Sequence, residues 1–84
     1  MNKLELLKKK IKYHASYRGT KEMDLLLTSF VNSLIHKMNF SELMKLEEFL
    51  NCSDEDIYNY YLNKDLNLPF EDVEILKLFK SFKI

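Results

Sequence analysis

Glycine, proline and cysteine each occur once in the 84 residues, acids and bases cancel to a formal charge of zero, and no apolar run is long. A single glycine excludes the glycine-rich loops that cradle phosphates in Rossmann and P-loop proteins, so no nucleotide or dinucleotide fingerprint is present. A single cysteine, Cys52, forms no internal disulfide and has no Cys or His neighbours at metal-ligand spacing, so the chain reads as intracellular and reduced. Its apolar flank marks it as a buried or incidental thiol. No stretch approaches the roughly 20 apolar residues of a membrane span, and the start lacks the 7 to 15 residue apolar core of a secretory signal. A soluble chain without direct membrane insertion is expected. The lysine-rich first segment shares its amphipathic character with mitochondrial presequences, but its apolar pattern runs on into the rest and assigns it to the fold.

Catalytic constellations are also scarce. His14 and His36 are far apart and lack a carboxylate at the helical spacing of a metal site, so each is assigned to a helix surface or to packing, and no metal is expected. Nothing near Cys52 lowers its pKa, and acids follow it, which argues against a nucleophile. The pairs Glu47–Glu48 and Asp54–Asp56 suit solvated helix faces and first turns better than acid–base work, which needs a cleft that separates their pKa values. Tyr58, Tyr60 and Tyr61 read as core and rim packing. No catalytic residue is assigned.

What the chain has is helical periodicity. With 46% hydrophobic and 31% charged residues and almost no turn formers, it should fold as an all-α, compact single domain over 1–84, a bundle of about five short helices. So short a chain buries only about 60 to 65% of its unfolded surface, so the core must be economical. A first helix is expected over about 2–16, with Leu4, Leu7, Ile11 and Ala15 on one face. The strongest pattern follows over about 21–38, where Met23, Leu26, Leu27, Phe30, Val31, Leu34, Ile35 and Met38 step at helical spacing. Ser41 is placed to cap a short third helix carrying Leu43, Leu46, Phe49 and Leu50. Ser53 followed by Asp54, Glu55 and Asp56 opens a fourth, with Ile57, Tyr60 and Tyr61 facing inward. After Pro69 a fifth begins, whose apolar residues Val73, Ile75, Leu76, Leu78, Phe79 and Phe82 spread around much of its circumference, which predicts burial on more than one side.

Charge is unevenly spread. Residues 1–21 carry seven bases (Lys3, Lys8, Lys9, Lys10, Lys12, Arg18, Lys21) against Glu5, while 41–74 carry ten acids against Lys45 and Lys64. Such a split either steers a complementary partner or folds back on itself as a solvated surface. Nucleic acid is disfavoured as a partner, because the acidic stretch repels phosphate.

One junction stands out. Lysine fills twelve of the thirteen basic positions, and the one arginine, Arg18, adjoins the one glycine, Gly19, where the first helix should end. A guanidinium grips a carboxylate or backbone carbonyls with a planar fork that lysine cannot imitate. Glycine supplies a positive φ, room for a second backbone, or a plain helix stop. An outward docking corner is expected here.

The string Arg18-Gly19-Thr20-Lys21-Glu22-Met23-Asp24 resembles the RGxxE signature of the SdhE family, also called succinate dehydrogenase assembly factor 2. Ile11-Lys12-Tyr13-His14 is similar to the family's basic and aromatic run, Leu25 to Phe30 to its apolar stretch ending in phenylalanine, and Ser53 to Leu62 to its acidic segment leading into an aromatic helix. The resemblance rests on this ordered set of segments, spread between residues 11 and 62, together with the length of the chain. The resemblance implies a five-helix bundle, itself no enzyme, that binds the flavoprotein subunit of succinate dehydrogenase or of fumarate reductase and promotes covalent attachment of FAD to a client histidine. FAD then belongs to the client, and no cofactor is bound stably by this chain. Partner contact falls, by the same resemblance, to Arg18, Gly19, Glu22 and Asp24, with Tyr17 standing where the family often has a second arginine. Alanine at Arg18 or Glu22 is expected to spare the fold and abolish client flavinylation. A monomer when isolated is expected, in a bacterial cytoplasm or, in a eukaryote, the mitochondrial matrix. The rival reading is a generic helical interaction or antitoxin-like regulatory module that binds through one charged pole.

Overall fold

Each described helix of this chain starts on a side chain that accepts a hydrogen bond from a first-turn amide. In the computed structural model, which describes residues 2–62 and 68–83, α1 spans Lys3–Ser16, α2 Lys21–Leu34, α3 Phe40–Leu50, α4 Asp54–Tyr61 and α5 Val73–Ser81. Asn2, Thr20, Asn39, Ser53 and Asp72 each accept from the amide three residues on. Such caps satisfy donors that a helix leaves without an internal partner, each contributing about 1 kcal/mol. Lys64, counted in the charge split, lies outside the described residues.

The fold is all-α. Its core is one cluster drawn from all five helices, with Leu7, Ile11 and Ala15 from α1, Met23, Leu26, Leu27, Phe30 and Val31 from α2, Leu43, Leu46, Phe49 and Leu50 from α3, Ile57 from α4, and Ile75 and Phe79 from α5. Phe79 sits at its centre, its ring 5.0 Å from both Phe30 and Phe49 in edge-on geometry. Edge-to-face pairs at this spacing add to the burial of area, and here they lock α5 onto α2 and α3. The radius of gyration, 12.1 Å, matches the roughly 12 Å expected of a compact chain this long.

Three expectations need correction. The second helix ends at Leu34, not near Met38, because Ile35 caps it and the chain turns through 35–37. That turn leads into Asn39, which caps α3 in place of Ser41: its Oδ1 accepts from the Glu42 N–H and its own N–H donates to Glu42 Oε1, both at 2.9 Å. Two reciprocal bonds outcompete one hydroxyl. In α5, Ile75 and Phe79 are buried, but Val73 is 62% exposed and Leu78 37%, so the helix buries one side rather than several. Among the described residues, no helix is long and apolar enough to cross a membrane.

Candidate functional site at the junction of the first two helices

The helix α1 ends at Ser16 with Tyr17 as its cap, and the chain crosses Arg18 and Gly19 before Thr20 caps α2. Asp24, one turn into α2, reaches back to accept the Arg18 backbone N–H at 2.6 Å, which fixes the entry into the helix.

The Arg18 guanidinium turns inward. Its side chain is only 7% exposed, which overturns the expectation of an outward-facing fork. Nε donates to Asp54 Oδ1 at 2.7 Å, Nη1 to the carbonyls of His14 and Leu50 at 3.0 Å each, and Nη2 to the Cys52 carbonyl at 3.2 Å. His14 lies in the last turn of α1, Leu50 ends α3, and Cys52 lies in the turn before α4. Helix C-terminal carbonyls lack internal donors and favour a cation, so one planar side chain satisfies the ends of two helices and ties them to the start of a third. An ammonium, with three donors on a flexible stem, could not span this set.

Gly19 is held on the same carboxylate. Its N–H donates to Asp54 Oδ2 at 2.6 Å, so the two oxygens of Asp54 serve the guanidinium and the glycine amide separately. A Cβ at residue 19 would lie 3.0 Å from Oδ2, and the backbone there does not take a positive φ. Close approach therefore favours glycine, since a Cβ would make the carboxylate give by a few tenths of an ångström. It is not the helix stop, since Tyr17 already caps α1 two residues earlier.

Around this staple the other candidate residues face outward. Tyr17 is 74% exposed and stacks on Tyr13, ring centres 4.5 Å apart. Gly19 and Glu22 are exposed, Glu22 making no ion pair among the described residues, and Leu25 one turn on is 56% exposed. Asp24 is half-buried and committed to the Arg18 amide. The junction thus has an inner half, Arg18 and Asp24, that builds it, and an outer half, Tyr17, Gly19 and Glu22, open to a partner.

Away from the junction, His14 Nδ1 lies 3.0 Å from Glu47 Oε1, joining α1 to α3, while Glu47 Oε2 is buried with no hydrogen-bond partner among the described residues. Cys52 is buried with Sγ 3.8 Å from the Pro69 carbonyl. Burial pushes its thiol pKa up, Asp56 adds to this, and Arg18 opposes it, which is the reverse of an activated nucleophile. Sequence reasoning missed Asp54 as the keystone, because three acids after a capping serine already have an explanation in the helix dipole.

Fold and site together describe a small helical bundle, a stapled helix junction with an exposed rim. The family model described as the flavinator of succinate dehydrogenase matches residues 9–83, and the chain belongs to that family. It is 40% identical over 79 residues to succinate dehydrogenase assembly factor 2, mitochondrial, of Dictyostelium discoideum, covering 93% of this chain and 55% of that protein. The corresponding factor of Lodderomyces elongisporus is 33% identical over 83 residues, covering 93% and 50%. Factor 2-A of Drosophila mojavensis is 32% identical over 80 residues, covering 93% and 51%. The chain spans about half the length of these relatives. Their names are those of assembly factors rather than of enzymes.

Proposed function

We propose that this chain is a non-catalytic assembly factor that binds the flavoprotein subunit of succinate dehydrogenase and promotes covalent attachment of FAD to a histidine of that subunit. The flavoprotein subunit of fumarate reductase is a second client of the same chemistry. The observation that carries the reading is the family match across residues 9–83, which includes the junction from Tyr17 to Asp24. Flavin and histidine both belong to the client, and the factor works in the compartment where the client folds, a bacterial cytoplasm or a mitochondrial matrix.

The factor contributes order, not bond chemistry. Its rigid corner, with Glu22 and Tyr17 offered to the client beside the exposed Gly19, holds client loops so that the flavin's reactive carbon lies near the histidine. Restricting two reactants to one geometry removes much of the entropy cost of a bond-forming step. A partner that binds one client conformation better than another shifts its population by the difference in affinity. Arg18, Asp24 and Asp54 act by keeping the corner in shape. The test is a fluorescence scan of denatured proteins for covalent flavin in cells with and without this chain, paired with a pull-down. Loss of the flavoprotein band without the chain supports the reading, and a normal band overturns it.

A further inference from the structure

We infer that the outward face of α1 is a second contact surface, which takes an acidic, partly apolar patch of the flavoprotein client. The inference rests on the function just proposed and extends it beyond the junction.

With about 100° between successive residues of a helix, Leu6, Tyr13 and Tyr17 at i, i+7 and i+11 fall within roughly 40° of one another, on the side away from the buried Leu7, Ile11 and Ala15. They are 55%, 67% and 74% exposed, so one side of α1 carries an exposed Tyr13–Tyr17 pair with a further apolar residue, Leu6, two turns before Tyr13. Exposed Lys3 and Lys9 flank it. Lys10, also at its edge, is 70% exposed although its Nζ lies 3.9 Å from Glu47. Glu5, the one acid of α1, lies off the stripe.

Area and continuity favour the same occupant as the junction. A stable protein interface buries about 800 Å² on each partner from some 20 to 30 residues, and the rim from Tyr17 to Leu25 presents too few. Tyr17 belongs to both surfaces, and its stacking on Tyr13 makes them one. Aromatic side chains are enriched at binding sites, because the rings bring area at small entropic cost. The lysines select the sign of the partner and speed its approach.

The test measures binding of the 84-residue chain to immobilised, flavin-free flavoprotein subunit at 50 and 300 mM salt, with far-UV circular dichroism to confirm that each variant is folded. All substituted side chains are solvent-exposed. Tyr13→Ser is expected to weaken binding at least tenfold at both salt concentrations. The double variant Lys3→Glu with Lys9→Glu is expected to weaken it at low salt and to flatten the salt dependence. If these variants bind within twofold of the parent while Glu22→Ala loses binding, the α1 surface is overturned and the proposed function stands. If the parent itself fails to bind, both are overturned. Equal retention of parent and variants on the client, with loss of the variants from vesicles containing anionic lipid, reassigns the stripe to a membrane surface and also overturns the inference.

Discussion

Gly19 donates its backbone N–H to Asp54 Oδ2 at 2.6 Å, across 35 positions of sequence, and a methyl group at residue 19 would sit 3.0 Å from that same oxygen. A contact so close forces the carboxylate to move, and the carboxylate also holds Arg18. Gly19→Ala should therefore cost about 1 kcal/mol in urea unfolding, with the strain outweighing the lower entropy of the unfolded alanine chain. In an Asp54→Ala background, where the clash is gone, the same substitution should be neutral or slightly stabilising. Equal costs in both backgrounds would contradict the close approach.

Arg18 works on its own scaffold, so its replacement is first an event in stability. Alanine would strand three carbonyls and Asp54, a cost of about 3 to 5 kcal/mol, comparable to the whole stability of a domain this small. Arg18→Lys keeps the charge and loses the fork, and should lower stability by about 2 to 3 kcal/mol, read as an earlier midpoint in urea. A lysine variant as stable as the parent would remove the staple from the account. The expectation that alanine at Arg18 spares the fold is withdrawn on this geometry.

The helical plan was legible because its signals are local. Periodicity placed Leu7, Ile11 and Ala15 inside, and the hydroxyl before three acids located the start of α4 at Ser53. The end of α2 was less so, since Ile35 and Met38 continue its apolar period while the backbone turns away from it. The direction of Arg18 was not legible at all. Three of its four acceptors are backbone carbonyls, which carry no residue identity, and two of those lie over 30 positions away. Composition showed that a planar fork was wanted at residue 18 without showing what it grips.

His14 and Glu47 form a cross-link of another kind, a buried acid with one oxygen on the imidazole and the other without a hydrogen-bond partner among the described residues. Removing the histidine leaves that acid less compensated, so His14→Ala should destabilise by about 1 to 3 kcal/mol. Glu47→Met, similar in volume and without charge, should be neutral or stabilising. Thermal melts of the two variants check the contrast, and a large loss from Glu47→Met would mean that the unpartnered oxygen matters to the fold.

Cys52 should behave as an inert thiol. Its folded pKa is raised above the ordinary thiol value, chiefly by burial, so at mildly alkaline pH the folded chain holds less thiolate than the unfolded one and alkylation by iodoacetamide should be slow until denaturant is added. As pH rises past the ordinary thiol value the unfolded state releases its proton while the folded state retains it, so this group lowers stability there and has no effect well below it. A Cys52→Ala variant should lose that alkaline contribution. Labelling of the folded protein at the rate of a free thiol would contradict the burial.

The division of the signature into an inner builder and an outer contact is tested most directly by Glu22→Ala, assayed in parallel for melting temperature and for covalent flavin formed on the client subunit. Glu22 is exposed and outside the staple, so the melting temperature should match the parent while covalent flavin falls to the level seen with no factor added. Flavin loading at the parental rate by a stable Glu22→Ala variant would contradict the account.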